Sequence, residues 1–205
     1  MKISLLDYGA GNLPSVERAL QRLGVETERI STSAGVAKAT ALVLPGVGHY
    51  GALIRALERD GLRESLITSI ERGVPFLGIC LGLQALFQDS DEAPDLQGLQ
   101  ILPGSVRVLS GVVKLPHMGW DQLQSKAASR LLEGIDSRAY FYFAHSYALP
   151  YKNGDLALET RATCSYGGEF VAVTEKENLF AVQFHPEKSG DAGQRVLENF
   201  LRIAA

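Results

Sequence analysis

Cysteine 80 is flanked two residues away on either side by glycine, in the run Phe76-Leu77-Gly78-Ile79-Cys80-Leu81-Gly82-Leu83-Gln84. This is the G-x-nucleophile-x-G spacing of a strand, a tight elbow and a helix, with the reactive atom at the bend. Glycines leave room where backbone segments crowd such a turn, and the turn strains the φ/ψ of the residue at its tip. Backbone N–H groups at the start of the following helix favour a thiolate. That help matters because only a few per cent of an ordinary thiol is ionised near pH 7. The alternative is a small buried core residue, the commoner fate of cysteine. Cys164, which lacks such flanks, is read that way.

A catalytic thiol needs a base, and the chain offers His49, His117, His145 and His185. The apolar run Val182-Gln183-Phe184 ends at His185-Pro186-Glu187-Lys188-Ser189, which places His185 at a strand end like that of Cys80. Pro186 restricts His185 to an extended conformation. Glu187, two residues on, is positioned to hold one imidazole nitrogen and leave the other for the thiol, the triad logic carried by other side chains. Acyl chemistry also needs donors aimed at a developing oxyanion. The Leu81 N–H, just after the nucleophile, is one candidate. The loop Pro45-Gly46-Val47-Gly48-His49 is the other, through the backbone around Val47 and Gly48, and its glycines allow it to switch between two states.

These residues need a frame. Lys2–Leu6, Ala41–Leu44 and Val74–Ile79 read as strands, and Ser15–Leu23 and Leu53–Glu71 carry apolar residues at helical spacing, with Gly61 interrupting the second. Pro14 and Gly24 punctuate the first helix. Strands of this kind joined by helices imply a mostly parallel sheet. The second half is richer in strands, at Ser105–Leu109, Ala139–Phe143, Leu156–Thr163, Glu169–Thr174 and Leu179–Phe184, with a hairpin turn at Tyr166-Gly167-Gly168. Gln194–Ile203 closes the chain as an amphipathic helix, and the acidic stretch Gln88–Asp95 reads as a surface loop. The expected fold is α/β, one domain over residues 1–205, with a smaller antiparallel extension.

Composition narrows the function. The chain has 205 residues, 46% apolar and 21% charged, with a net charge of −3, which gives no electrostatic case for a nucleic-acid partner. Asp7 comes too early for a secretory leader, and the apolar stretch from Gly73 to Phe87 falls short of the roughly 20 residues a membrane span needs. Two cysteines far apart rule out a disulfide framework and a CxxC zinc site, and point to a reducing, cytoplasmic compartment. No metal or cofactor is expected. Gly9-Ala10-Gly11-Asn12-Leu13-Pro14 imitates part of a dinucleotide fingerprint, but Pro14 stands where the last glycine is required.

Gly78-Ile79-Cys80-Leu81-Gly82-Leu83-Gln84 with His185-Pro186-Glu187 resembles the class I, triad-type glutamine amidotransferases. Within them, the chain is most similar to the glutaminase subunits of imidazole glycerol phosphate synthases. That finer likeness rests on Asp7-Tyr8-Gly9-Ala10-Gly11-Asn12, Pro45-Gly46-Val47-Gly48, Pro116-His117-Met118-Gly119-Trp120 and the extended His185-to-Ser189 motif, in the family's order. The resemblance implies a three-layer, flavodoxin-like sheet flanked by helices. It implies Cys80 as nucleophile, His185 and Glu187 as its partners, and Gln84 with the backbone around His145, Ser146 and Tyr147 as the holder of glutamine. It also implies a (β/α)8-barrel cyclase subunit as heterodimer partner, met by Asn12, Met118, Gly119, Trp120, Tyr142 and Lys188. Two departures are visible: Leu83 stands where Met is common, and Asp121 stands where Asn is usual, adding charge near the docking face. Rival readings are the amidotransferase subunits for anthranilate or aminodeoxychorismate, the glutaminase of pyridoxal-phosphate synthase, and a stand-alone cysteine hydrolase.

Overall fold

The structure, a computed structural model, describes residues 2–9, 12–151 and 159–205. The first half alternates β1 (Lys2–Leu6), α1 (Leu13–Arg22), β2 (Glu26–Ile30), α2 (Ser33–Lys38), β3 (Leu42–Gly46), α3 (Tyr50–Arg59), α4 (Leu62–Glu71), β4 (Phe76–Cys80) and the single turn α5 (Leu81–Gln84). Short strands β5 (Asp89–Ser90) and β6 (Ser105–Val108) lead to β7 (His117–Gln122), β8 (Gln124–Ser125), β9 (Tyr140–His145) and β10 (Tyr147–Ala148). The chain ends with β11 (Thr160–Ser165), β12 (Glu169–Lys176), β13 (Leu179–Val182), a 3-10 turn at Pro186–Lys188 and α6 (Gly190–Ala204).

The main sheet has the order β2-β1-β3-β4-β13-β12-β11-β8. Its first five strands are parallel, and β12, β11 and β8 continue it antiparallel. Two-residue alternation sends the side chains of one strand to opposite layers. Leu42, Leu44 and Phe76 pack into one cluster with α2, α3 and α4, while Val43, Leu77 and Ile79 pack into the other with α1 and α6. Both faces of the parallel strands are thus covered, which is why β3 and β4 are wholly buried. A separate ribbon, β7 with β9, stands beside the main sheet, and β10-β6-β5 forms a third small sheet.

Several expected boundaries move. The single helix expected over Leu53–Glu71 is two, because Gly61 takes a left-handed φ of 64° and starts α4 on a new axis. Strand β2 and helix α2 were not expected. The acidic stretch Gln88–Asp95 is more than a surface loop: Asp89 and Ser90 pair with β6, and the Glu92 carboxylate accepts the Tyr50 N–H at 2.7 Å to cap α3. The strand expected at Leu156–Thr163 is seen as β11 from Thr160, and its residues 156–158 lie outside the described residues, as do Ala10 and Gly11 of the glycine-rich start.

The packing that positions the reactive turn is backbone against backbone. A Cβ on Gly82 would lie 2.0 Å from the Leu44 carbonyl oxygen, and one on Gly78 would lie 2.6 Å from the Gly82 carbonyl oxygen. Neither obstacle is a side chain that can swing away, so Gly82→Ala must push β3 and α5 apart. Overpacking of this kind costs about 1–3 kcal/mol. Urea unfolding should show Gly82→Ala destabilised by about that amount; an unchanged midpoint would contradict the packing.

Candidate active site

Parallel neighbours β3, β4 and β13 deliver their carboxyl ends to one place, the usual position for a site on an open α/β sheet. Gly46 pairs with Cys80, and Val182, the last residue of β13, pairs with Ile79. Register alone therefore sets the Pro45–His49 loop on one flank of Cys80 and the His185 segment on the other. Together they open a cleft of about 520 Å³ lined by Val47, Gly48, Cys80, Leu81, Gln84 and His185, among others.

Cys80 sits at φ 54°, ψ −103°, a conformation that L residues rarely adopt. Such a residue costs about 1–3 kcal/mol and persists because its surroundings over-determine it. The helix that follows is only four residues long, so the thiol meets the free N–H groups of one turn rather than the dipole of a long helix. Gln183 Nε2 donates to Cys80 Sγ at 3.5 Å. Cys164 is buried in the core, where burial pushes its thiol up to about 12.

The four histidines separate by geometry. His49 caps α3, its Nδ1 accepting the Gly51 N–H at 3.0 Å. His117 and His145 face each other across the β7–β9 ribbon. His185 lines the cleft with Cys80 and interacts with it. It holds extended backbone before Pro186, and its Nδ1 lies 2.9 Å from Glu187 Oε1, with both side chains buried. Burial alone would lower the imidazole, but the hydrogen bonds and charges of Cys80 and Glu187 overcome it and push His185 up to about 10. Ser189 fixes the segment: its hydroxyl donates to the His185 carbonyl at 2.7 Å and accepts the Tyr142 N–H at 2.9 Å.

Other expected residues divide. Val47, Gly48, Leu81, His145, Ser146 and Tyr147 all line the cleft. Gln84 does too, but its Nε2 is engaged by the Tyr147 carbonyl (2.8 Å) and Gln183 Oε1 (3.2 Å). Only its buried, unpartnered Oε1 is left to meet a ligand. Asn12 was expected on a partner surface; here its Nδ2 donates to Glu187 Oε1 at 3.3 Å and it lines the cleft, as does Lys188. Met118 and Trp120 are 65% and 52% exposed, Trp120 meets Tyr142 edge to face at 5.9 Å, and Lys188 Nζ lies 5.5 Å from the Tyr142 ring centre. With Tyr140, 54% exposed, they form an aromatic face beside the cleft, so Trp120 is not a core anchor.

Sequence reasoning missed Gln183 and Glu92, which respectively touches the sulfur and lines the cleft. A glutamine inside the apolar run before His185 was the available signal for the first; Glu92 had none. It also missed Tyr8, whose buried hydroxyl lies by the Val47 backbone and is pushed up to about 12, mainly by burial.

The family model for glutamine amidotransferase class-I matches residues 4–204. "Imidazole glycerol phosphate synthase subunit HisH" of Methanothermobacter thermautotrophicus is 46% identical over 201 residues, covering 98% of each chain. The chloroplastic "Imidazole glycerol phosphate synthase hisHF" of Arabidopsis thaliana is 42% identical over 203 residues, covering 97% of this chain and 34% of that one. Among solved structures, a glutamine amidotransferase (20% identity, 98% of each chain) and PurLQS from Thermotoga maritima (19% identity, 98% of this chain and 97% of that one) each superpose with a TM-score of 0.77. With Cys80 at a strained elbow and this match along almost its whole length, the chain belongs to the class-I glutamine amidotransferase family.

Proposed function

We propose that this chain is a glutaminase that supplies ammonia to a cyclase subunit, the two forming an imidazole glycerol phosphate synthase. The observation that carries the chemistry is the buried line from Cys80 and His185, which line the cleft, to Glu187 behind His185. Cys80 thiolate attacks the side-chain amide carbon of glutamine, forming a C–S bond. The Leu81 N–H and the backbone around Val47 and Gly48 hold the oxyanion. His185 gives its proton to the leaving nitrogen as the C–N bond breaks, releasing ammonia. It then takes a proton from water, which attacks the thioester and frees glutamate. Glu187 orients His185 and favours its charged form, and Asn12 holds Glu187 in place. Gln84 Oε1 and the wall made by His145, Ser146 and Tyr147 hold the amino-acid end of the substrate.

Specificity for this synthase is supported by the HisH names of the relatives, and a partner by the aromatic face. Large exposed apolar side chains grouped beside a cleft mark an interaction surface. The plant relative hisHF leaves most of its length outside the match. In our reading Met118, Gly119, Trp120, Tyr142 and Lys188 meet the barrel, and a sealed joint keeps ammonia neutral in passage. The cyclase combines it with a phosphoribulosyl-formimino aminoimidazole-carboxamide ribonucleotide, giving imidazole glycerol phosphate and an aminoimidazole-carboxamide ribotide in histidine biosynthesis. Residues 1–205 act as one amidotransferase domain in the cytoplasm. Two free thiols fit that compartment, and no helix among the described residues is long and apolar enough to cross a membrane.

Cys80→Ala should abolish glutamine-dependent synthesis by the complex and leave ammonia-dependent synthesis largely intact; loss of both would break the proposed division of labour. Ammonia release should be low for the chain alone and rise when the cyclase carries its nucleotide; equal rates would show that the partner does not bias a two-state Pro45–His49 loop. Because His185 is pushed up to about 10, kcat should fall as pH rises past that value and the proton for the leaving nitrogen is lost. Glu187 helps raise His185, so in Glu187→Gln the alkaline limb should move to lower pH, with KM for glutamine near normal. An unmoved limb with a raised KM would count against the orienting role.

A further inference from the structure

A continuous path of polar contacts runs from the sulfur to the exposed edge of the β7–β9 ribbon. Gln183 touches Cys80 Sγ and accepts from Gln84, and Gln84 donates to the Tyr147 carbonyl. His145 Nδ1 lies 2.9 Å from that same carbonyl. His145 Nε2 lies 3.3 Å from His117 Nδ1, and His117 Nε2 lies 2.9 Å from Asp121 Oδ2. His117 is buried, whereas the Asp121 side chain is 40% exposed.

Counting protons along this path fixes its state. A carbonyl only accepts, so His145 Nδ1 carries the hydrogen. Burial, against the pull of the Tyr147 carbonyl, pushes His145 down to about 3, so the ring is neutral and its Nε2 is a bare lone pair. The contact at that atom then needs the hydrogen on His117 Nδ1. That leaves His117 Nε2 facing a carboxylate oxygen, and the two are bonded only if one more proton lies between them.

The surroundings of His117 bear on that proton. Burial pushes the imidazole below its ordinary value, and the Asp121 carboxylate opposes that shift. Tyr166 stacks on one ring face at 4.1 Å and 11°, and Phe143 stacks at 4.9 Å and 17°, both favourable to a cation. The titratable groups facing the ring are Asp121, His145 and Tyr166. Cys164 is near enough to Asp121 to feel its charge, and His185 acts on His145 from the far side.

We propose that Asp121 and His117 form an ion pair that positions the glutamine cleft: the carboxylate keeps both His117 nitrogens as donors, which fixes the His145 tautomer and, through it, the Tyr147 carbonyl that anchors Gln84. The pair is a positioning unit and touches no reacting atom. Its effect on substrate rests on the cleft being the glutamine site, as proposed above. An asparagine at 121 would satisfy the same path with a neutral His117, since its Nδ2–H donates to a bare Nε2. The aspartate therefore adds a dependence on pH. As pH rises and the shared proton is lost, carboxylate and lone pair repel and the wall loosens.

Long-range proton–nitrogen correlation spectra of the chain, labelled at its histidine rings, test the pair directly. At pH 5, His117 should show two protonated nitrogens in the native chain and one, Nδ1, in Asp121→Asn, with His145 neutral and protonated at Nδ1 in both. In the complex, KM for glutamine should rise with pH in the native enzyme and stay flat in Asp121→Asn. In Asp121→Leu it should be raised about three- to tenfold, the worth of one hydrogen bond. A neutral His117 at pH 5 in the native chain would overturn the ion pair, and identical KM profiles in native and Asn enzymes would overturn its positioning role. The spectra need no activity, so they decide the pair even if the glutaminase reading itself fails.

Discussion

The near contact of Gly82 with the Leu44 carbonyl is the constraint on which the rest of the site depends. It forces the chain to turn within one residue of β4, and that residue, Cys80, absorbs the turn in its backbone at φ 54°. A looser turn would let the cysteine relax into the sheet, where it would be one more buried thiol like Cys164. Strain here is a local cost set against two extensive apolar layers, which hold β3 and β4 in register from both faces. The core thus acts as the clamp, and the elbow is where the clamp brings the Cys80 side chain to the cleft.

Against that fixed sulfur the sheet sets a histidine from the far end of the chain. The partnership of β13 with β4 carries His185 to the same edge, so the pairing needs no flexible loop to find it. Ser189 then ties His185 to Tyr142 on β9, a strand that also supplies part of the exposed aromatic face. The His185 segment and the exposed aromatic face are therefore both tied to β9. In an enzyme whose product must pass to a partner, this short mechanical route is the sort of element through which binding biases a site, because interfaces and packed elements shift as units.

Much of this was legible in the sequence, for reasons that differ by element. Strands β1, β4 and β13 are nearly continuous apolar runs, and α1 has proline at its start and glycine after its end, so pattern and punctuation agree. Strand β2 escaped because it is an edge strand of four consecutive polar residues with only its last residue, Ile30, buried. Helix α2, six residues around a glycine, was too short to show a period. The segment His117-Met118-Gly119-Trp120 was noticed as a motif yet not as strand β7, since its exposed Met and Trp mimic a loop's irregularity. The Cys80 and His185 segments declared themselves because each carries its chemistry in consecutive residues. Gln183 and the His117–His145 pairing did not, because their partners are fixed by sheet register across long stretches of chain, information that local spacing does not hold.

Covalent capture on Cys80 separates this account from every arrangement in which the thiol is merely buried. Complex turning over glutamine is quenched in acid, digested, and its cysteine peptides are weighed by mass spectrometry. The account predicts a glutamyl adduct on the peptide containing Cys80 and none on that containing Cys164. Ammonia released with no adduct on Cys80, or with the adduct on Cys164, would contradict it.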